Sequence, residues 1–367
     1  MYFQHFLLLT VLTSSYGYDG EALDNKTGCP VRFAEKCHCG LGSYRQMFPD
    51  RKVYITNCTN TGFEDPSVLE FVPRETEVLI FNGNRFPTLP WNILGIWNDF
   101  PNLTVIDLTN NGIKEIPGKA FHKVSSVRRL ILNHNDLYIV SGMAHPRVFS
   151  NFMNLEELHL TNAFTEQVVS QWYLLNLQDI FISSHLKNLK KLHLEQNEIW
   201  RISNPDIFCP LTSLMDLHLS DNQLTDINFT LSCLPKLRYL DLEYNKMTNL
   251  HQPTFKLIES VFGDPEKDRT INIKGNPFRC DCHISEFLHW FRDTSVKISN
   301  KEEVRCFDGF PKYNYGIRLT ALKQLECEEK PHHITSSNSS HAVTRSLLGV
   351  LIFLTSSLIL GLLWVNR

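Results

Sequence analysis

The sequence predicts an α/β solenoid, a curved stack of short repeats with a parallel β-sheet on its concave face and a cysteine-rich cap at each end. One pattern occurs three times, as LKKLHLEQNEIWRI, LMDLHLSDNQLTDI and LRYLDLEYNKMTNL. The copies begin 25 and 23 residues apart, and cysteines cluster on both sides of them. No copy can bury its own leucines, so the repeats must stack around one shared core.

The pattern L-x-x-L-x-L-x-x-N, with this period, is the leucine-rich-repeat signature. Its strand leucines supply the core, and its asparagine marks the turn out of each strand. A buried carboxamide suits that turn because it both donates and accepts hydrogen bonds to unpaired backbone groups. The core leucines are Leu192, Leu194, Leu217, Leu219, Leu240 and Leu242, and the turn asparagines are Asn197, Asn222 and Asn245.

Weaker copies extend the array over residues 76–278. They place strands at Leu79, Ile106, Leu130 and Leu158 before the three strong copies and at Ile271 after them. Ahead of the array, the segment RKVYITNCT predicts an edge strand that closes the first repeat through Val53, Ile55 and Cys58.

One repeat carries an insertion near residues 163–188, and Ala163 stands where its turn asparagine belongs. The apolar residues at helix-like spacing in this segment are Val168, Trp172 and Leu175. Either the segment forms a long helix packed on the convex side of the core, or it protrudes and offers Trp172 and Tyr173 to a partner.

The composition excludes several classes of protein. With 43% hydrophobic residues, 20% charged residues and a net charge of -3, the chain is neither a disordered protein nor a basic nucleic-acid binder. It contains no recognisable catalytic motif such as G-x-S-x-G or a phosphate-binding loop. We therefore expect no enzymatic activity, no cofactor and no nucleic-acid partner.

Both ends of the sequence indicate export to the cell surface. A short apolar run followed by small residues predicts a signal peptide over residues 1–17. Residues 347–365 are uncharged and long enough for the ~30 Å hydrocarbon layer, after a polar stalk at 328–346. They form either a single transmembrane segment with almost no tail or the signal for a glycolipid anchor. Either way, the repeats face outward from the plasma membrane.

The ten cysteines agree with an oxidising compartment. Four precede the repeats, in an N-terminal cap over residues 29–75, and four follow them, in a C-terminal cap over residues 279–327. Disulfides are expected here rather than zinc ligation, but spacing alone leaves three connectivities for each cluster. The other two, Cys209 and Cys233, lie one repeat apart and are either bridged or two small core residues.

Five N-x-S/T sequons predict glycosylation. They begin at Asn25, Asn57, Asn102, Asn228 and Asn338. Asn102 and Asn228 fall outside the strands, so glycans on them would leave the concave face free.

The residue between the two strand leucines points away from the core, onto the concave face. In successive repeats this column contains His159, His193, His218 and Asp241, which are candidate partner-binding residues. Because neighbouring strands lie ~4.8 Å apart, His193 and His218 are expected to stack, with Glu195 within reach. The column is either a solvated polar face without a metal or a pH-sensitive or zinc-binding patch.

The C-terminal cap contains a predicted helix, in CDCHISEFLHWFRD, that covers the exposed end of the core. After it, a turn-rich segment brings four aromatic residues close together in sequence: Phe307, Phe310, Tyr313 and Tyr315. These residues either fold onto the cap or form an exposed binding patch, with Phe310 and Tyr313 as candidate contacts.

Several segments together resemble the trophoblast glycoprotein (Wnt-activated inhibitory factor) family of extracellular leucine-rich-repeat proteins. They are the insertion after LEELHL, the cap GNPFRCDCHISEFLHWFRDT, the ending LKQLEC and the apolar segment close behind it. The sequence matches a form of that family without its basic cytoplasmic tail.

The resemblance implies a cell-surface glycoprotein that dampens Wnt/β-catenin signalling and influences adhesion and motility. It implies an extracellular or membrane protein as partner, with a component of the Wnt pathway suspected. The alternative is an adhesion or guidance protein that recognises its own kind or a matrix component. The disulfide pairs implied by the resemblance are Cys29–Cys39, Cys37–Cys58, Cys280–Cys306 and Cys282–Cys327.

Overall fold

The computed structural model describes residues 29–327, except 34–35, 97–98 and 140–144. The predicted signal peptide, polar stalk and membrane segment lie outside these residues, as do the sequons at Asn25 and Asn338. Among the described residues, no helix combines the length and the apolar composition that a membrane span requires.

The predicted solenoid with a parallel sheet is confirmed. In chain order the strands are β1 (His38–Tyr44), β2 (Phe48–Asn57), β3 (Val78–Ile80), β4 (Val105–Asp107), β5 (Arg129–Ile131), β6 (Glu157–His159), β7 (Lys191–His193), β8 (Asp216–His218), β9 (Tyr239–Asp241), β10 (Thr270–Asn272), β11 (Phe278–Cys280), β12 (Lys297–Ile298) and β13 (Cys306–Gly309). The helices are α1 (Ser170–Ser184), α2 (Gln252–Phe262) and α3 (Ser285–Asp293), and short 3-10 turns lie at Pro66–Phe71, Cys282–Ile284, Lys301–Glu303, Lys312–Asn314 and Leu319–Ala321.

The described strands form an eleven-stranded sheet in the order β1 to β10, then β12, while β11 and β13 pair separately. Apart from the antiparallel β1–β2 pair, its neighbouring strands run parallel. Each repeat contributes three strand residues, and the middle one is a buried Leu or Ile. The register therefore aligns Leu158, Leu192, Leu217 and Leu240 inside the core.

Turn asparagines join successive repeats through backbone hydrogen bonds. The Asn222 Nδ2 amide donates to the Leu194 and Leu219 carbonyl oxygens at 2.9 and 3.1 Å. Its Oδ1 accepts from the Asn197 and Ile199 amides, both at 3.0 Å. One buried side chain thus satisfies backbone groups in two repeats, which explains why the pattern requires asparagine.

The N-terminal cap is a β-hairpin that packs against the concave side of the first strands. Val53 and Ile55 of β2 form a small core with Val78, Ile80 and Val105, and partly buried side chains of the hairpin pack on it. The prediction that β2 is the edge strand is wrong, because β1 pairs with it on the outer side. The hairpin removes apolar strand residues from water at one end of the sheet.

The insertion forms α1, but the predicted apolar face is wrong. Trp172 is 60% exposed and Leu175 is also exposed, whereas Tyr173 is only 3% exposed. The core face instead contains Tyr173, Leu174, Leu177, Ile180 and Phe181. These five residues give the helix a larger apolar surface than the stripe through Trp172, so burial of that surface decides its orientation.

The C-terminal cap closes the core as expected. Helix α3 buries Phe287 and Phe291, and the adjoining Ile284 is also buried. Trp290 packs on Phe255 of α2, with ring centroids 5.4 Å apart. The last repeat is therefore covered by aromatic side chains rather than exposed to solvent.

Five disulfides link the cysteines among the described residues. The pairs are Cys29–Cys39, Cys37–Cys58, Cys209–Cys233, Cys280–Cys306 and Cys282–Cys327. Four of them are the cap pairs that the resemblance implied, and the fifth joins two consecutive repeats.

Candidate functional site

Three histidines form a continuous stack on the concave face, which we call the histidine column: His159, His193 and His218. They are register partners on β6, β7 and β8. Ring centroids lie 4.1 Å apart at both steps, with interplanar angles of 8° and 9°. The side chains are 14%, 12% and 20% exposed, so the rings present their edges to solvent. Asp241 is the next register partner, on β9.

Glu195 binds the middle of the histidine column. Its Oε1 lies 2.8 Å from His193 Nδ1 and 3.9 Å from His218 Nδ1. The Thr161 hydroxyl donates to its other oxygen at 2.6 Å. Burial alone would raise the pKa of Glu195, but the hydrogen bonds and the charge of His193 lower it to about 2. Glu195 is therefore a carboxylate fixed in one orientation.

Glu157 forms a second ionic centre at the first histidine. Arg129, Lys191 and His159 approach its carboxylate at 2.6, 3.3 and 3.4 Å. Burial favours the neutral acid, but these neighbours hold the pKa of Glu157 well below its usual range. Burial also lowers the pKa of His159 to about 4, against the opposite effect of its bond to Glu157. His159 is thus a neutral imidazole near neutral pH.

A shallow depression of about 380 Å³ lies beside the other end of the histidine column. Its wall includes Tyr239, whose ring lies 5.4 Å from that of His218. The Arg238 guanidinium also lines the depression. It donates two hydrogen bonds to the Asp216 carboxylate, of 2.8 and 3.1 Å. Arg238 was not among the predicted concave residues, because it precedes the strand by one position.

The N-terminal end of the concave face is less accessible than the sequence suggests. The Arg129 guanidinium donates to Gln46 Oε1 of the hairpin at 2.7 Å, and Ile80 is buried beneath that hairpin. The accessible concave residues therefore begin near β5 and β6. The sequence of a three-residue strand does not show that its concave face is covered, because the covering hairpin lies far away in sequence.

The remaining candidate contacts lie on other elements. Trp172 is exposed on α1, as the second interpretation of the insertion requires. Tyr173 does not reach the surface, because its ring stacks on Phe164 and its hydroxyl donates to the Asn197 carbonyl oxygen. The prediction that Tyr173 is offered to a partner is wrong.

The aromatic turn in the C-terminal cap is partly exposed. Tyr313 is 63% exposed, and its hydroxyl donates to Gln324 Oε1 at 2.9 Å. Phe310 is half-buried, while Phe307 and Tyr315 are exposed. These rings lie on the cap and are not part of the histidine column.

Three sequons fall among the described residues. Asn102 and Asn228 are exposed and lie outside the strands. Asn57 ends β2, and its Oδ1 accepts from the Thr59 hydroxyl at 2.6 Å. Glycosylation at these positions stays a prediction.

Comparisons with known proteins agree with this architecture. The leucine rich repeat family matches residues 101–163 and 187–247. Trophoblast glycoprotein of Macaca fascicularis is 24% identical over 311 residues, which cover 81% of this chain and 69% of that protein. Lumican of Bos taurus is 33% identical over 153 residues, covering 41% of this chain and 39% of that protein.

The crystal structure of human 5T4 (Wnt-activated inhibitory factor 1, trophoblast glycoprotein) is similar in fold. It superposes with a TM-score of 0.65 at 23% identity, covering 82% of this chain and all of that chain (100%). The resemblance suggested by the capped ends and the insertion is confirmed. The chain therefore has a cysteine-capped leucine-rich-repeat fold, and it is similar to trophoblast glycoprotein over most of its length.

Proposed function

We propose that this chain is a cell-surface glycoprotein that binds an extracellular protein through its concave face and thereby dampens Wnt/β-catenin signalling. The observation that carries the proposal is the similarity to trophoblast glycoprotein, which covers 81% of this chain. The human relative of known structure is also called Wnt-activated inhibitory factor 1. We extend that role to this chain as a hypothesis.

The concave face suits protein binding because its side chains are already held in place. Glu157 and Glu195 fix their neighbours through ion pairs and hydrogen bonds, and the strand register sets the spacing. An ordered surface loses less conformational entropy when a partner binds. Tyr239 and Arg238 border the depression, and these are residue types that often dominate binding energies.

The disulfides support an extracellular location. All cysteines among the described residues are paired, and no free thiol occurs there. Disulfides persist in oxidising compartments and are rare in the cytosol. Attachment through residues 347–365, either as a membrane span or as a glycolipid-anchor signal, is part of the proposal.

The mechanism would be competition or sequestration. A partner held on the concave face is withdrawn from its own receptor or co-receptor, which needs no cytoplasmic effector. This mechanism predicts that the ectodomain carries the activity.

A Wnt reporter assay tests the proposal. Cells would express the full chain or a secreted form that ends near Lys330, at matched protein levels. Suppression by the full chain alone indicates that tethering is required, whereas suppression by both forms indicates ligand capture. If neither form changes the reporter, the Wnt role is wrong and cell-aggregation assays should test the adhesion alternative.

A further inference from the structure

We propose that His193, Glu195 and His218 form a binding site for a divalent transition metal, with Zn²⁺ as the best match. Every pair of their ligand atoms lies within 4.8 Å. Glu195 Oε1 is 2.8 Å from His193 Nδ1 and 3.9 Å from His218 Nδ1. The site lies on the concave face that the proposed function assigns to a protein partner, but zinc binding to it does not depend on the proposed Wnt role.

The distances suit a tetrahedral ion. Zinc binds imidazole nitrogen and carboxylate oxygen at about 2.0 to 2.2 Å, so two ligand atoms of a tetrahedron lie roughly 3.3 Å apart. The two separations from Glu195 Oε1 lie on either side of that value, and the ligand nitrogens of the two histidines lie within 4.8 Å of each other. Two histidines and one glutamate are a known zinc ligand set, which leaves a fourth position for water or another donor.

The fold holds these ligands without requiring a metal. His193 and His218 are register partners on adjacent strands, and Glu195 follows His193 by two residues. The Thr161 hydroxyl donates to Glu195 Oε2 at 2.6 Å and leaves Oε1 directed at the histidines. Such outer hydrogen bonds orient metal ligands and raise affinity. The open side of the site faces the concave surface, from which the fourth ligand would come.

Binding requires two local changes. The proton that His193 Nδ1 donates to Glu195 Oε1 must leave to solvent before that nitrogen can bind a metal, and the rings must turn. The two imidazoles are nearly parallel, at 9°, whereas the lone pair of each nitrogen lies in the plane of its ring. Both rings must therefore turn about their side-chain torsions to point at one ion. These side chains are partly exposed, so a rotation does not open the core.

Two other sets of side chains contain potential zinc ligands, and zinc binding to them must be distinguished from binding to the proposed site. Asp281, Cys282 and His283 lie close together, but Cys282 is paired with Cys327 and offers no thiolate. His332 and His333 are adjacent in the sequence, outside the described residues. A control variant therefore replaces both of them.

The test is calorimetric titration of the full chain, produced without a histidine tag, with ZnCl₂. We expect one zinc ion per chain at this site, and a loss of affinity of at least about tenfold in His193→Gln and in His218→Gln. His159→Gln is the matched control, because it removes a ring from the same column but no proposed ligand. His159→Gln and the His332→Gln/His333→Gln variant should retain this binding.

Unchanged zinc affinity in both ligand variants would overturn the proposal, as would loss of binding only in the His332→Gln/His333→Gln variant. Thermal unfolding without zinc checks that each variant is folded. If a ligand variant fails to fold, crystals of the unmodified chain soaked in zinc decide the question. Anomalous scattering at the zinc edge between His193 and His218 supports the site, and a signal found only elsewhere contradicts it.

Discussion

At the scale of single residues, the turn asparagine determines how each repeat is held to the next. The Asn222 side chain is buried and makes hydrogen bonds to backbone groups on both sides of its turn. Alanine cannot replace these bonds, and water cannot easily reach the groups left behind. Each unpaired buried group costs about 1 to 3 kcal/mol.

We predict that Asn222→Ala lowers the free energy of unfolding by at least about 3 kcal/mol, because several buried backbone groups lose their partner. Urea unfolding with the disulfides intact measures this loss of stability. Gln223→Ala is the control, since Gln223 is exposed in the same turn, and its effect should stay within about 0.5 kcal/mol. Equal effects in the two variants would contradict the structural role of Asn222.

A second prediction at the residue scale concerns Glu157. Its carboxylate pairs with Arg129, and the two side chains are only 13% and 7% exposed. Glu157→Gln leaves the guanidinium without its charged partner, so we expect a loss of about 3 kcal/mol at pH 7. Urea unfolding at several pH values checks both this loss and its pH dependence.

The pH dependence has a definite sign. The pKa of Glu157 is lowered on folding, so its stabilising effect is complete above the ordinary value of 4.5 and is lost as the pH falls below it. At pH 3 the difference between the unmodified chain and Glu157→Gln should shrink by about 2 kcal/mol. The exposed Glu166→Gln variant is the control. A difference that does not change with pH would refute the assignment.

At the scale of elements, α1 places a buried aromatic residue next to an exposed one in sequence. Tyr173 is buried against Phe164, and Trp172 points to solvent. We predict that Tyr173→Ala lowers the free energy of unfolding by about 3 to 5 kcal/mol. Trp172→Ala should change it by less than about 0.5 kcal/mol. Thermal or urea unfolding of both variants measures these changes. A large loss of stability in Trp172→Ala would show that the helix is oriented differently.

The sequence predicted a helix here but not its orientation. Helix-like spacing was present on more than one face, since Trp172 and Leu175 continue one stripe while Tyr173, Leu177 and Ile180 continue another. Which stripe is buried depends on the shape of the neighbouring repeats, and that information is not local. By contrast, the repeat leucines were predictable because every copy repeats the same period.

At the scale of the whole molecule, the strand positions and the concave column followed from the sequence. The register places His159, His193 and His218 in one line, as the repeat pattern required. The sequence did not predict that the β1–β2 hairpin covers the first strands, because the hairpin reaches the concave face through contacts between residues that are distant in sequence. The same register places Arg129, Glu157 and Lys191 side by side, but the pKa of Glu157 also depends on its burial, which spacing does not give.

A glycan placed on the concave face tests the central claim most directly. His159→Asn creates the sequon Asn-Leu-Thr within the histidine column, while His159→Gln makes a similar change without a sequon. Lys123→Asn creates the sequon Asn-Val-Ser in an exposed loop outside the strands, as a control for an added glycan.

The measurement is suppression of a Wnt reporter by each full-length variant at equal surface level, with glycosylation verified by enzymatic removal. The account predicts that glycosylated His159→Asn loses much more suppression than His159→Gln, whereas Lys123→Asn suppresses as the unmodified chain does. Full suppression by glycosylated His159→Asn would contradict the claim that the partner binds the concave face.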